Sequence, residues 1–333
     1  MNHPNGQRCV VLGTTADPHV ARVISRFRQL GLQAIVLDYL ACSKVTALFD
    51  DKLLPSILID AQEIRESDLL WSRLKMIPGG PFYFNDQVSG ESAAERNRRH
   101  SLQEQNWLAL YDVVLACHGG RTINNIPKFH RSLAKPAQQM IAARCGMKFP
   151  PTILSNVKED LVDFAKHHEF LITKPAATTR LPIDGKLYRE PLMTYDVTLE
   201  EIESSTEACF LSAPLMLQKK VPKLYELRVV CTSSAYRAFS INSAEHAGAD
   251  TDWRRATFAL KFEPVKLSDD TVRCAQQFLA ATSRDYGSFD FIVDRDGVHW
   301  FLECNPDGQW GWLEDAREPD ISNMLADSFQ RLV

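Results

Sequence analysis

The 333-residue sequence predicts a multidomain α/β protein, and three observations support this fold class. An apolar strand at residues 9–15 precedes a helix with apolar residues every three or four positions, and the strand "QAIVLD" follows. Such a β-α-β opening favours a parallel sheet. The second half of the chain instead combines helices with successive strands and a hairpin, which is typical of α+β units.

The composition limits the function classes. Hydrophobic residues make up 45% and charged residues 24%, as in ordinary globular proteins, and the net charge of -4 disfavours a nucleic-acid partner. Eight scattered cysteines without a CxxC pair indicate reduced thiols. No apolar window reaches transmembrane length and "MNHPNGQR" lacks a signal-peptide core, so we expect a cytoplasmic protein with no membrane partner.

The patterns predict three domains, 1–125, 126–214 and 215–333. The first contains the β-α-β opening and a polar, Gly/Pro-marked segment, 78–99, that reads as a loop leading into a helix. The second contains the helices "LAKPAQQMIAARCG", "DLVDFAKHH" and "LEEIESS", the strand "FLITKP" and a hairpin excursion around "DGK". The third contains three strands, the helix "DDTVRCAQQFLAATSRDYG", a hairpin and the final helix "ISNMLADSFQRL".

The hairpin "SFDFIVDRDGVHWFLECN" carries the strongest chemical signal. Asp296-Gly297 is typical of a two-residue type I′ turn, and counting back from it places Asp290 directly opposite Glu303. Period-two alternation places Asn305 on the face of Glu303 and turns Leu302 and Cys304 the other way. Two opposed carboxylates repel unless a cation lies between them, and with an amide oxygen they form a donor set suited to Mg²⁺.

Two alternatives remain at this point. The carboxylates could lie on the solvated face of an edge hairpin, although the flanking aromatic residues argue against it. If all four residues of "DRDG" form the loop, Asp290 opposes Phe301 instead.

The string "FLECNPDGQWGWLE", preceded by "GSFDFIVDRDG", resembles the ATP-grasp peptide maturases that make microviridin-type graspetides. The resemblance continues upstream in "KPAQQMIAARCGMKFPPTILSN", "FLITKP" and "LQKKVPKLYELRVV" and covers about residues 10 to 330. It implies an ATP-grasp fold with an N-terminal Rossmann-like pre-ATP-grasp domain. The central domain then acts as a lid, and the C-terminal domain carries the metal site.

The resemblance also implies site residues and cofactors, ATP and Mg²⁺. The magnesium ligands implied are Asp290, Glu303 and Asn305. The residues implied to hold the nucleotide are Lys135, Lys174, Glu226 and the hinge segment 218–221, with Gln218, Lys219 and Val221. The residues implied for catalysis are Arg228, which contacts phosphate, and Arg254, near the transferring phosphoryl group.

The function implied is activation of Asp or Glu side chains of a ribosomal precursor peptide as acyl phosphates, followed by ring closure to ω-amides or ω-esters. The partner is then a peptide with a leader and an acidic core that contains Ser, Thr or Lys; a homodimer is a further option. One alternative is an amino-acid ligase that modifies a protein tail or a small molecule, as ribosomal-protein glutamate ligases do. Another is a catalytically idle module that binds a leader peptide.

Overall fold

The computed structural model describes residues 8–38, 40–41, 43–48, 56–73, 90–124, 134–177, 180–183, 186–191, 193–243, 249–255, 260–314 and 320–333. The chain forms two compact units. Unit 1 comprises Met1–Phe129, Asp184–Tyr188 and Gln309–Val333, and unit 2 comprises His130–Ile183 and Arg189–Gly308. The division into three domains stays a prediction. Most of the predicted loop at 78–99 lies outside the described residues.

The described secondary structure matches the predicted mixture of α/β and α+β units. The strands are β1 (Arg8–Gly13), β2 (Gln33–Asp38), β3 (Val45–Leu48), β4 (Ser56–Ile59), β5 (Gln62–Glu63), β6 (Leu69–Ser72), β7 (Thr122–Ile123), β8 (Thr152–Ser155), β9 (Leu171–Thr173), β10 (Arg180–Ile183), β11 (Lys186–Pro191), β12 (Tyr195–Val197), β13 (Leu215–Lys219), β14 (Lys223–Thr232), β15 (Tyr236–Ile241), β16 (Phe262–Pro264), β17 (Tyr286–Asp294) and β18 (His299–Asn305). The helices are α1 (Pro18–Gln29), α2 (Ala93–Cys117), α3 (Lys135–Arg144), α4 (Lys158–Lys166), α5 (Leu199–Ser204), α6 (Glu207–Leu211), α7 (Asp269–Ala281), α8 (Gly311–Glu314) and α9 (Asp320–Gln330). In the described part of the chain, no helix is long and apolar enough to cross a membrane.

Unit 1 is built on the predicted parallel sheet, whose strand order is β2-β1-β6-β7. Every residue of β1 is buried, and α1 buries Val20, Val23 and Phe27, so the strand and helix patterns are confirmed. Gly31, at φ +76°, follows the helix in the left-handed conformation that glycine adopts without strain. A small antiparallel sheet, β3-β4-β5, was not predicted.

A buried polar cluster in unit 1 holds the segment that follows the hairpin. Asp17 accepts hydrogen bonds from the backbone and the ring of His19, and it pairs with Arg73 at 3.0 Å. The Nε2 atom of His19 accepts from the backbone amides of Trp310 and Gly311, at 3.0 and 2.9 Å. The Arg73 guanidinium lies 4.4 Å from the centre of the Trp310 ring, which is fully buried. Trp310 is therefore an anchor within unit 1.

Unit 2 contains two larger antiparallel sheets. The first has the order β12-β9-β13-β8, and the second has the order β16-β15-β14-β17-β18. The chain crosses from the first sheet to the second at residues 220–222, so β13 lies in the first sheet, although the predicted domain boundary precedes it. The strands β10 and β11, on either side of the first two residues of "DGK", form a separate two-stranded sheet, as the predicted excursion requires. The predicted helices around α3, α4, α5 and α7 are confirmed.

The core of unit 2 lies between the five-stranded sheet and the helices α3 and α7. Four phenylalanines dominate it, and each is at most 1% exposed: Phe278, Phe289, Phe291 and Phe301. Their ring centres lie 5.4 to 6.3 Å apart, at the distances of favourable aromatic pairs. Because this core fixes one face of β17 and β18, it also determines which side chains point to the other face.

The Asp17 cluster predicts an acid-dependent loss of stability. Burial raises the pKa of the Asp17 carboxyl, but His19 and Arg73 outweigh burial and hold that pKa below its usual value. The stabilisation is therefore complete above the unfolded-state pKa of about 3.9 and is lost as the pH falls below it. Asp17→Asn keeps the helix cap and leaves Arg73 without its counter-charge, so we expect a loss of about 3 kcal/mol of unfolding free energy at pH 7.

Urea denaturation followed by tryptophan fluorescence measures this difference. The gap between wild type and Asp17→Asn should be constant from pH 7 to pH 5 and should narrow below about pH 4. A gap that stays the same at pH 3 would show that the charge of Asp17 does not stabilise the cluster.

Candidate active site

The turn of the hairpin differs from the prediction. The pair nearest the turn joins Val293 to His299, and Asp294 bonds to Val298 through its backbone amide (3.2 Å) and its side chain (2.9 Å). The loop therefore comprises residues 295–297, with Gly297 at φ +76°. The predicted two-residue loop is wrong, because the Asp294 side chain organises a longer turn with glycine in the left-handed position.

A β-bulge in β18 restores the predicted pairing of the carboxylates. Phe291 faces Phe301, but the next pair is Asp290 with Glu303, so Leu302 is an extra residue in its strand. The longer loop and the bulge shift the register by one residue in opposite directions. Asp290 consequently faces Glu303, as predicted, and the alternative pairing with Phe301 is wrong.

The bulge also determines which side chains of β18 point into the core and which point away from it. Phe301 and Cys304 are both fully buried in the core although they lie three residues apart, which a regular strand does not allow. Cys304 is a core residue, as predicted, whereas Leu302 is the half-buried bulge residue and not its partner on that face. Glu303 is thereby turned away from the core.

The three predicted magnesium ligands lie together. The side-chain amide of Asn305 donates to Glu303 Oε1 at 3.2 Å and to Asp290 Oδ2 at 3.5 Å. The set has two carboxylates and one amide; among the residues that the structure describes, no three His, Cys, Asp or Glu side chains form a group that could hold a metal ion. Carboxylate and amide oxygens are the donor type that Mg²⁺ prefers.

Each carboxylate has a cationic partner from a different element. Asp290 Oδ2 accepts from Arg228 Nη1 at 2.9 Å across the neighbouring strand β14. Glu303 Oε2 lies 3.3 Å from Lys135 Nζ, at the start of α3. Lys174 follows β9 and interacts electrostatically with Glu303 and Lys135. Predicted residues from three elements are therefore brought to the carboxylate pair.

The protonation of the pair reflects this arrangement. Burial raises the pKa of Asp290; Arg228 opposes the shift and Glu303 adds to it, so the pKa stays above its usual value. Burial also acts to raise the pKa of Glu303, but Lys135 and Lys174 outweigh it and hold the pKa below its usual value. Burial lowers the pKa of Lys174 to about 8. The site therefore favours an additional positive charge near Asp290.

The two predicted catalytic arginines differ in their surroundings. Arg228 is buried, and its Nε has no hydrogen-bond partner among the described residues. Its guanidinium carbon lies 5.8 Å from the centre of the Trp253 ring. Arg254 has a side chain that is 41% exposed and forms a bidentate pair with Asp252, with 2.8 Å from Nε to Oδ1. Asp252 was not predicted, although it stands two residues before Arg254 in "DTDWRR".

The predicted nucleotide residues of the hinge and of β14 are engaged with the protein. Gln218 is fully buried and its amide donates to Thr152 at 2.8 Å, while the Lys219 backbone amide donates to Pro151. The Val221 side chain is buried.

Glu226 pairs with Lys223 and accepts from Ser243 at 2.8 Å. None of these contacts reaches Asp290 or Glu303 directly. Burial raises the pKa of Glu226, and the Glu226 carboxylate in turn acts to raise the pKa of Asp290.

The residues of "NPDG" form a turn at the end of β18. The Gly308 amide donates to the Asn305 carbonyl at 3.2 Å, and Pro306 and Asp307 occupy the middle of the turn. Gly308 packs directly on Ser288, the residue that pairs with Asn305 across the ladder. A side chain at position 308 would overlap Ser288, so only glycine lets the backbone come this close to Ser288.

Comparison with solved structures identifies the fold. A RiPP-associated ATP-grasp ligase from Chryseobacterium gregarium, solved with ADP and a leader and core peptide, matches at a TM-score of 0.78 and 22% identity, over 98% of this chain and 96% of that chain. The chain has the ATP-grasp fold. The macrocyclase MdnC from Microcystis aeruginosa MRC, bound with precursor peptide MdnA, matches at a TM-score of 0.76 and 22% identity, over 98% and 100% of the two chains.

A third ATP-grasp ligase, PsnB, solved with a phosphomimetic variant of a minimal precursor, Mg and ADP, matches at a TM-score of 0.72 and 20% identity, over 98% of this chain and 99% of that chain. No family model matches the sequence, and comparison with curated proteins gives no match. The predicted ATP-grasp fold is thereby confirmed.

The contact between Gly308 and Ser288 gives a structural prediction. A Cβ atom at position 308 would lie 1.9 Å from Ser288 Oγ and 2.1 Å from Ser288 Cβ. We expect Gly308→Ala to lower the unfolding free energy by about 2 kcal/mol, as overpacked cores do. The double variant Ser288→Gly/Gly308→Ala removes both clashing atoms and should lose less than the sum of the two single changes. Additive losses in urea denaturation would contradict the close approach.

Proposed function

We propose that this chain is an ATP-grasp ligase that uses ATP and Mg²⁺ to join side chains of a ribosomally made precursor peptide. The observation that carries the proposal is the convergence of Asp290, Glu303 and Asn305 with Lys135 and Arg228 in this fold. Similarity over nearly the whole chain to ligases solved with precursor peptides supports the substrate class.

The residues present fit Mg²⁺. Asp290, Glu303 and the amide oxygen of Asn305 would hold the ion, and a site with few protein ligands leaves positions for water and phosphate oxygens. The raised pKa of Asp290 supports the fit, because a divalent cation is the kind of charge that would stabilise its ionised form. When bound, the ion supplies neutralisation of phosphate charge and orientation of the reacting groups.

The cations around the pair fit a nucleotide phosphate chain. Arg228 is fixed by Asp290 through Nη1, and we assign its Nε, which has no hydrogen-bond partner among the described residues, to a phosphate oxygen. We assign Lys135 and Lys174 to phosphate binding, since an incoming anion offsets the burial that lowers the pKa of Lys174. We assign the hinge with Gln218 and Val221 to the base; because the Lys219 amide already bonds to Pro151, other backbone atoms of this segment would contact adenine.

The proposed chemistry begins with transfer of the γ-phosphoryl group to a side-chain carboxylate of the peptide. A peptide amine or hydroxyl then attacks the acyl carbon, loses its proton and displaces phosphate. The protein contributes positioning and charge: Lys135, Lys174 and Arg228 neutralise phosphate oxygens. Arg254, held in a fixed orientation by Asp252, is assigned to the developing negative charge on the acyl group.

The peptide partner is an acidic peptide with Ser, Thr or Lys as acceptors. Two ligases solved with a precursor peptide or with a leader and core peptide match this chain at TM-scores of 0.76 and 0.78, which supports a peptide substrate. An idle binding module is disfavoured, because the carboxylates, the amide and the cations expected of an active site lie together. Cytoplasmic location and a homodimer stay predictions.

Asp290→Asn tests the metal assignment. We expect the rate of ATP consumption to fall at least about 100-fold, because the ion loses a charged ligand. The variant should keep the melting temperature of the wild type within a few degrees, since relief of the repulsion with Glu303 offsets the loss of the charge partner of Arg228. Asp270→Asn, the same change at an exposed position of α7, is the matched control and should keep full activity. Wild-type ATP consumption by Asp290→Asn would refute the assignment.

Mass spectrometry distinguishes ring formation from ligation. Incubation with ATP, Mg²⁺ and a leader-containing acidic peptide should lower the peptide mass by one water for each bond formed. Addition of a free amino acid would raise the mass instead and would support the alternative ligase. No mass change with any such peptide, despite ATP consumption, would contradict the proposed substrate class.

A further inference from the structure

Helix α3 contacts β18, the strand of Glu303 and Asn305, with two side chains that lie one turn apart. Lys135, the first residue of the helix, reaches Glu303 at 3.3 Å. Gln138, three residues later and thus on the same helix face, accepts a hydrogen bond from the Cys304 backbone amide through Oε1 at 2.6 Å. The same helix therefore binds both a side chain and the backbone of the strand that carries the proposed magnesium ligands.

The strand needs such a partner because of its place in the sheet. β18 is an edge strand, so the amides on its outer side have no neighbouring strand to bond with. Its ladder is also interrupted at the bulge. Two outer amides flank the bulge residue: the Phe301 amide donates to the Lys148 carbonyl at 2.7 Å, and the Cys304 amide donates to Gln138. Next to the carboxylates, the Gln138 side chain therefore accepts the hydrogen bond that a neighbouring strand would otherwise accept from β18.

The position of this bond matters for the ligands. Cys304 lies between Glu303 and Asn305, and its amide belongs to the peptide unit that joins it to Glu303, so a bond to this amide restrains the residue between the two side chains. Gln138 is 2% exposed and Cys304 is fully buried, so water does not replace the bond if it is lost. Cys304 itself is held in the core, and Gln138 therefore restricts rotation of the peptide unit between Glu303 and Cys304.

We propose that Gln138 is a positioning residue that holds Glu303 and Asn305 in the orientation required to bind the metal; this rests on the proposed function. Gln138 is not one of the residues assigned to the metal, and the bond that carries this role joins it to the Cys304 backbone. It acts through the bulged backbone, as residues behind the ligands of other metal sites act on ligand orientation. Its loss weakens metal binding more than it weakens the fold.

The test compares identical substitutions at adjacent positions of α3. Gln138→Met removes the acceptor and keeps the shape of the side chain. Gln139→Met is the matched control, because Gln139 is also 2% exposed and its Nε2 has no hydrogen-bond partner among the described residues. Mn²⁺ is titrated into each purified full-length protein with ADP, and bound Mn²⁺ is measured by electron paramagnetic resonance against a titration without protein.

We expect Gln138→Met to weaken Mn²⁺ binding at least about tenfold and to raise the Mg²⁺ concentration for half-maximal ATP consumption by a similar factor. Gln139→Met should stay within about twofold of wild type. Melting temperatures show whether the two variants lose comparable stability, which separates metal orientation from general destabilisation. If Gln138→Met does not fold, Gln138→Asn, which withdraws the acceptor by one methylene, should show the same weakening.

The outcomes separate the two proposals. Wild-type Mn²⁺ binding by a folded Gln138 variant overturns the positioning role and leaves the proposed function intact. Equal weakening in the Gln138 and Gln139 variants also overturns it, since the effect is then one of helix packing. If the wild-type protein itself binds no Mn²⁺ and consumes no ATP, both proposals fail.

Discussion

The structure of unit 2 depends on one unfavourable interaction, the approach of Asp290 and Glu303 across a hairpin. Two carboxylates at about 5 Å repel by about 3 kcal/mol at the effective dielectric constant of a partly buried site. The surrounding elements offset this repulsion from separate directions. β14 contributes Arg228, α3 contributes Lys135, and the chain after β9 contributes Lys174.

The backbone is arranged to keep the carboxylates in this position. An aromatic core fixes one face of the hairpin, and the bulge at Leu302 turns Glu303 to the other face. Gln138 then holds the bulged edge, and the turn at Gly308 leads the chain away against Ser288. Side chains held by packing and backbone bonds need little reorganisation when they bind a charged group, and such preorganisation is the property that the proposed function requires of Asp290, Glu303 and Asn305.

Much of the fold could be predicted from the sequence because it depends on local sequence patterns. Helix α1 and helix α7 have clear apolar periodicity, and the parallel opening follows from strand and helix patterns. The opposition of Asp290 and Glu303 was predicted correctly although the loop was predicted one residue too short. The bulge compensated for that error, and no local signal marks it: it forms because Phe301 and Cys304 both pack into one core.

Other features depend on distant contacts and were not predicted. The sheet β3-β4-β5 has short strands with weak patterns. The pairing of Asp252 with Arg254, and the bond from Cys304 to Gln138, become visible only once side chains from different elements are placed. The Trp310 residue, which carries the family resemblance, is held by Asp17, His19 and Arg73 from the other end of the chain, so its role in unit 1 is structural.

A crystal structure of the protein with a non-hydrolysable ATP analogue and Mg²⁺ or Mn²⁺ tests the central claim most directly. We expect metal density coordinated by Asp290, Glu303 and the Asn305 amide oxygen, with Arg228 Nε on a phosphate oxygen. Manganese, identified by its anomalous signal, distinguishes the ion from water. A nucleotide bound with its metal on other residues, while Asp290 and Glu303 contact only protein side chains, would contradict the metal assignment.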